Sequence, residues 1–390
     1  MKTIRDLNLQ SKKVLIRCDF NVPIKDSKIL DDTRIKKSIE TIKYAIDNGA
    51  RVILLSHLGR ISEKRDLSNN SLEPVSKRLS ELLEKKVIFI DKTRGKKLED
   101  AINKLEDGDV LLMENTRFED LNGKLESSND AELSKYWASL GDIFINDAFG
   151  LVHRAHASNV GIASHLPHAV GFLIEKELSV LSELDKPKHP FVVILGGAKV
   201  KDKIGVVKNI VKKADYILIG GGMAFTFLVS EDFNTGNSIV DAENISFCQE
   251  ILEKYPEKIL LPIDIVVSNE FKDSYKNKIR AINEIEDAEI GLDIGPKTIK
   301  LYEKYLKNAK IVFWNGPLGV YEFKNYKIGT NKILNYLVDK NIKTILGGGD
   351  IVAASAQENL KDKVYYASTG GGATLEYIEG SILPGIEAMK

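Results

Sequence analysis

The chain has 390 residues, enough for two or three domains of ordinary size. Its 56 basic and 56 acidic side chains cancel, so no overall basic excess marks a nucleic-acid binder. The two cysteines, Cys18 and Cys248, stand far apart, which argues against a disulfide framework or zinc-type spacing and for a reducing compartment.

Charges at Lys2, Arg5 and Asp6 fall where a signal peptide needs an apolar core. No run approaches the ~18 apolar residues of a membrane span. The expectation is a soluble, cytoplasmic protein.

In chain order, apolar runs alternate with helical patterns. Strands are expected at Lys13–Arg17, Arg51–Ser56, Val87–Ile90, Val110–Met113 and Asp142–Ile145, with helices at Thr33–Asn48, Leu72–Leu83 and Ala131–Leu140. A helical stretch, Gly171–Leu184, is stopped by Pro187 and Pro190. The rhythm then resumes with strands at Phe191–Leu195, Tyr216–Ile219, Ile259–Leu261, Lys310–Trp314, Lys343–Leu346 and Val364–Tyr366. This alternation predicts an α/β protein of two doubly wound parallel-sheet, Rossmann-like domains joined by a helix. The expected boundaries are 1–170, a connecting helix and hinge over 171–190, 191–380, and a tail over 381–390. The tail carries Leu383-Pro384-Gly385-Ile386, too apolar to hang free, and is expected to pack back on the first domain.

Ligands of such sheets bind outside the carboxyl ends of the strands. There the two halves differ. First-half strands run into Arg17-Cys18-Asp19-Phe20-Asn21, Ser56-His57-Leu58-Gly59-Arg60, Glu114-Asn115-Thr116-Arg117 and Asn146-Asp147, followed by His153-Arg154-Ala155-His156. Second-half strands run into Gly196-Gly197, Gly220-Gly221-Gly222, Asn315-Gly316-Pro317, Gly347-Gly348-Gly349 and Gly370-Gly371-Gly372. Ten of the eleven arginines lie at or before Arg154. Arginine binds phosphate and carboxylate bidentately, so Arg17, Arg34, Arg60, Arg117 and Arg154 on one sheet edge would form a cleft for a small polyanion. The glycine turns would seat a nucleotide, because bare backbone and helix N-termini suit phosphate.

Phe191–Ile204 combines both themes. Its strand ends in Gly196-Gly197, and a helix is expected directly after, with Lys199 and Lys203 sharing one face. Asp350 reads either as a helix cap or as a carboxylate for phosphate-bound Mg²⁺. Glu322 reads as a ribose contact or a surface charge. His153 and His156 read as anion donors or structural groups rather than metal ligands. Neither a P-loop nor a G-x-G-x-x-G fingerprint occurs.

Long segments of the chain resemble the phosphoglycerate kinase family. They include Arg17–Pro23, Asp31–Ile35, His57–Arg60, Asn146–Gly150, Gly196–Ile204, Gly220–Phe225, Gly291–Pro296, Trp314–Pro317, Gly347–Asp350 and Ser368–Ala373, in the family's order. The resemblance implies reversible transfer of a phosphoryl group from 1,3-bisphosphoglycerate to Mg-ADP, giving 3-phosphoglycerate and ATP, with hinge closure bringing the substrates together. It implies a monomer that works on small molecules, without nucleic acid or membrane. By match to the motifs, Asp19, Phe20, Asn21, Arg34, His57, Leu58, Gly59, Arg60, Arg117 and Arg154 would surround the phosphoglycerate. Lys203, Gly220, Gly221, Gly291, Leu292, Asn315, Pro317, Glu322 and Gly347, Gly348, Gly349 and Asp350 would hold the nucleotide, Asp350 serving its Mg²⁺. Arg34, Lys199, Lys203, Gly371 and Gly372 would meet the moving phosphoryl group. Cys18, Ile61, Leu151-Val152 and Ile351 depart from the family's usual residues without removing an expected ligand. The competing readings are a kinase for another phosphorylated acid, a non-catalytic nucleotide binder and a dehydrogenase. The arginine set, the presence of Arg34, Lys203 and Asp350, and the missing dinucleotide fingerprint weigh against them in turn.

Overall fold

Strands buried on both faces must be apolar along their whole length, and the runs at Val14–Ile16, Val52–Leu55, Leu111–Met113 and Phe191–Leu195 are fully buried. The computed structural model describes residues 1–390. The first eight strands are β1 (Lys13–Arg17), β2 (Ile24–Lys25), β3 (Lys28–Ile29), β4 (Arg51–Leu55), β5 (Val87–Ile90), β6 (Val110–Met113), β7 (Ile143–Asn146) and β8 (His168–Val170). Six of them form a parallel sheet in the order β5-β6-β4-β1-β7-β8. The remaining nine are β9 (Phe191–Leu195), β10 (Tyr216–Ile219), β11 (Ile259–Leu260), β12 (Asp264–Ser268), β13 (Lys278–Ala281), β14 (Ile290–Ile294), β15 (Ile311–Asn315), β16 (Thr344–Leu346) and β17 (Tyr366–Ala367). Their parallel sheet runs β11-β10-β9-β15-β16-β17, the 3-2-1-4-5-6 order of a nucleotide-binding sheet.

The chain divides into two compact units, 1–179 with 382–390, and 180–381. The division falls within the helix Phe172–Leu181. In the first unit the core lies under the helices Thr33–Asp47 and Glu73–Leu83, whose apolar faces carry Ile35, Ile42, Val75 and Leu79. The tail belongs to this unit. Leu383 and Met389 are buried, and the Gly385 N–H donates to the Val152 carbonyl at 2.8 Å. The departure at Leu151-Val152 is thereby explained, since both side chains are buried and Val152 meets the tail. Ile351 is likewise a core residue of the second unit.

Several features differ from the sequence reading, among them the unexpected strand β8 and the last strand, which lies at Tyr366–Ala367 where Val364–Tyr366 was expected. Asp26 and Ser27, both at positive φ, turn β2 into β3 as a two-residue hairpin. An antiparallel sheet, β13-β12-β14, adjoins the second parallel sheet in sequence, where uninterrupted alternation was expected. The helix after β9 starts late: Lys201–Lys203 is a 3₁₀ turn and the α-helix spans Ile204–Ile210. Lys199 therefore precedes the helix and does not share a face with Lys203.

Candidate active site

In the first unit, the chain order of the strands reverses beside β1, and the functional side chains leave the carboxyl ends of β1, β4, β6 and β7 around that point. Arg34, in the first turn of the helix Thr33–Asp47, is clamped by Asp19, with Nη1 3.1 and 2.9 Å from the carboxylate oxygens. The Asn21 side chain accepts from the Gly59 N–H at 2.9 Å. Buried Asn115 accepts from the N–H groups of Leu58 and Arg117 and donates to the carbonyls of Leu58 and Asn70. The turn carrying His57–Arg60 is thus tied to the turn carrying Arg117, whose Nη1 donates to the Gly59 carbonyl at 2.8 Å.

The result is a dense cationic cluster. Arg117 is buried, and burial together with Arg154 and Arg60 pulls its pKa down. Burial, reinforced by Arg17, Arg117 and Arg34, drives the His57 pKa well below its ordinary value. His57 therefore stays neutral. Arg17 Nη2 lies 3.2 Å from its Nδ1, and an arginine can only donate, so the ring proton sits on Nε2. By the same logic Arg154 Nε, 3.1 Å from His153 Nε2, leaves the His153 proton on Nδ1. Burial and Arg154 push the His153 pKa down to about 4. The buried atoms Arg117 Nε and His153 Nδ1 have no hydrogen-bond partner. Buried donors rarely stay unpaired, and an anion would satisfy both.

Not every expected ligand offers a side chain. Phe20 and Leu58 are packed into the core. Arg17 is fully buried and spends its guanidinium on Ser158, the Cys18 carbonyl and His57. It supports the cluster rather than facing a ligand. Arg60 and Arg154 are exposed and Arg34 is half-buried.

In the second unit the order reverses between β9 and β15. The turns after β9, β10 and β15 pack backbone against backbone there. A Cβ on Gly196 would lie 2.0 Å from the Pro317 carbonyl oxygen, and one on Gly316 2.4 Å from that of Gly196. A Cβ on Gly220 would strike Leu318 at 2.4 Å. These glycines serve turn packing, not open ligand approach. Gly349 and Gly371 are different, because a Cβ on either would meet nothing within 4 Å. Both stand at the N-termini of helices, Gly349–Gln357 and Gly372–Glu379. Helix N-termini with open space beside them suit phosphate.

Beside these turns lies a cavity of about 540 Å³. It gathers the expected Gly221, Gly291, Leu292, Pro317, Glu322 and Asp350. Its walls add Phe225, Ile239, Ile265, Phe271, Val320 and Tyr321, which the sequence reading did not assign. They form the apolar slot that a flat base requires. Ile265 and Phe271 come from β12 and its flank, a strand end without the glycine that marks the other turns.

Lys203, Gly220, Asn315, Gly347 and Gly348 do not line the cavity but stand behind or beside it. A Cβ on Gly197, a lining residue, would be 4.0 Å from Lys203 Cε. Burial lowers the Lys203 pKa, against the pull of Asp202, Asp350 and Glu379. Asn315 donates to the Gly347 carbonyl, while its buried Oδ1 has no partner. Lys199 is exposed. The Asp350 carboxylate is exposed at the cavity, and no group of three His, Cys, Asp or Glu side chains is placed to hold a metal ion. A single carboxylate suits Mg²⁺ that brings its other oxygens from a nucleotide.

A sequence profile described as Phosphoglycerate kinase matches residues 4–381. The chain is 56% identical over 390 residues to the phosphoglycerate kinase of Lacticaseibacillus casei, covering 99% of this chain and 98% of that one. It is 52% identical to the Enterococcus faecalis enzyme, covering 100% and 99%. The solved phosphoglycerate kinase of Coxiella burnetii superposes with a TM-score of 0.88 at 38% identity, covering 99% of this chain and 98% of its own. That of Pyrococcus horikoshii gives 0.87 at 32%, covering 100% and 98%. With the profile running nearly end to end and relatives above half identity over their full length, the chain belongs to the phosphoglycerate kinase family.

Proposed function

We propose that the chain catalyses reversible phosphoryl transfer between 1,3-bisphosphoglycerate and Mg-ADP, yielding 3-phosphoglycerate and ATP, the glycolytic reaction of its family. The observation that carries the assignment of sites is the cationic cluster at the carboxyl ends of β1, β4, β6 and β7, with Arg117 Nε and His153 Nδ1 unpaired. Phosphoglycerate carries a phosphate and a carboxylate, two anionic groups for a cluster of several cations. The nucleotide belongs in the cavity of the second unit, its base against Phe225, Ile239 and Tyr321 and its phosphates toward Gly349 and Gly371.

The chemistry asks for alignment and charge neutralisation rather than a nucleophilic side chain. A terminal oxygen of ADP attacks the acyl phosphorus, the P–O bond to the carboxyl carbon breaks, and the carboxylate leaves with the electron pair. No proton moves, so no general base is needed. Arg34, bound to Asp19, and Lys203 supply positive charge to the moving group, and the N–H groups of Gly371 and Gly372 supply dipoles. Lys199 is the remaining cation in reach of that role. Mg²⁺, bound through Asp350 and the phosphates, would neutralise nucleotide charge. The ligands must meet for transfer, so hinge closure of the two units is part of the reading, and it would also exclude water from the acyl phosphate.

No helix of the chain is long and apolar enough to cross a membrane. The same reading makes it a cytoplasmic monomer with small-molecule partners only, which sedimentation of the pure protein would check. A coupled assay with 3-phosphoglycerate and ATP tests the activity: steady turnover is expected, and its absence would overturn the assignment.

A further inference from the structure

Arg17 is a fully buried cation at the end of β1. A charge taken out of water needs a partner. The carboxylate that answers it is Glu126, which is also fully buried. Its Oε1 lies 3.9 Å from Arg17 Nη2. A firmer link runs through Ser158: Arg17 Nε donates to the Ser158 hydroxyl at 2.7 Å, and that hydroxyl donates to Glu126. The Ser158 N–H donates to the other carboxylate oxygen at 2.9 Å. His156 Nδ1 stands 3.7 Å from Oε1. The Glu126 backbone carbonyl accepts from the Ala157 N–H at 2.9 Å. Burial works to raise the carboxyl pKa, yet His156, Arg17 and Ser158 together hold it below its ordinary value. Glu126 is therefore ionised.

Two separate stretches, β1 and the turn after Arg154, meet on this carboxylate. Arg17 fixes the His57 tautomer from β1. His156 and Ser158 belong to the turn that follows His153-Arg154. The neighbouring Asn159 clamps that turn by donating to the Arg154 carbonyl at 2.9 Å and accepting from the His156 N–H at 2.9 Å. We propose that Glu126 is a positioning residue for the acidic substrate. Through Arg17 it sets His57 as an Nε2–H donor, and through Ser158 it sets the loop that presents His153 and Arg154. It touches no ligand itself. This rests on the reading of the cluster as the phosphoglycerate seat.

The test is Glu126→Gln, which keeps the shape and removes the charge. In the folded variant the KM for 3-phosphoglycerate should rise at least tenfold while the KM for ATP stays within twofold. In the ligand-free protein, ¹⁵N resonances of His57 should show loss of the single Nε2–H tautomer. Glu126→Asp, with the charge kept but drawn back by one methylene, should lie between the variant and the parent. Unchanged KM values, an equal rise in both, or an unaltered His57 tautomer would overturn the proposal. Should Glu126→Gln fail to fold, the same readouts on Glu126→Asp decide, and a parent-like KM and tautomer would overturn it. A parent protein inactive with 3-phosphoglycerate would instead sink the reading of the cleft, while the tautomer measurement would still judge the Glu126 link.

Discussion

The two units share an architecture and differ in what their strand ends are made of. The first ends its strands in long charged side chains that must be held by one another: Arg34 by Asp19, the Arg117 turn by Asn115, His57 by Arg17. The second ends them in glycines, some forced by turn packing at Gly196 and Gly316, others left open at Gly349 and Gly371. The difference teaches how each site can be damaged. A site of side chains is dismantled by truncation; the backbone part of the second site is damaged by adding atoms.

The largest expected effect falls on a half-buried lysine beside the cavity turns. Lys203→Ala should lower kcat by about 10²–10³, the usual loss when a group acting on transition-state charge is removed. Turnover near that of the parent would remove Lys203 from the mechanism. Next comes Arg154→Ala. Hydrogen bonds to charged groups contribute about 1.5–3 kcal/mol, so the KM for 3-phosphoglycerate should rise roughly 10- to 100-fold. The residue is exposed, so the melting temperature should hold.

Gly349→Ala and Gly196→Ala sharpen the contrast inside the second unit. The first places a Cβ in open space and should leave stability unchanged while raising the KM for ATP several-fold. The second drives a Cβ to 2.0 Å from a carbonyl oxygen and should cost about 3 kcal/mol of stability. Denaturant melts beside kinetics would separate them, and equal stability of the two would contradict the packing account.

The smallest effect is a pH dependence. His153 has a folded pKa of about 4 against an ordinary 6.5. Its depressed value gives stability that is present above pH 6.5 and lost as pH falls toward 4. An anion beside it should raise that pKa, so 3-phosphoglycerate should take up protons near pH 5.5 and not at pH 8. Calorimetry in buffers of different ionisation enthalpy would read this directly. Asp147 and Asp293, one in each unit, are pushed by burial to about 8. Their contribution is full below the ordinary carboxyl pKa of 3.8 and is lost as pH rises from there to about 8, so this decline across the acid-to-neutral range should touch both units.

Much of this was legible in the sequence because parallel strands are short apolar runs with sharp ends. β1, β5, β6, β9 and β10 fall on the residues their patterns indicate. The strand-end motifs likewise pointed to the arginine cluster and to part of the cavity lining. What was not legible had no such signature. The antiparallel β12–β14 carries polar and charged residues among its apolar ones, and its wall residues, buried Ile265 and half-buried Ile290, carry no mark that sets them apart from other isoleucines. The early helix expected after Gly197 failed because the loop first crosses Lys199 and a 3₁₀ turn. Glu126 lies in a polar loop that reads as solvated, and only the fold shows it buried against Arg17.

The most direct test is a pair of equilibrium titrations, 3-phosphoglycerate and Mg-ADP, on the parent, Arg154→Ala and Gly349→Ala. The account predicts a crossed pattern: Arg154→Ala weakens the acid at least tenfold and spares the nucleotide, while Gly349→Ala weakens the nucleotide several-fold and spares the acid. Loss of both ligands by the same factor in either variant would contradict the assignment of one ligand to each unit.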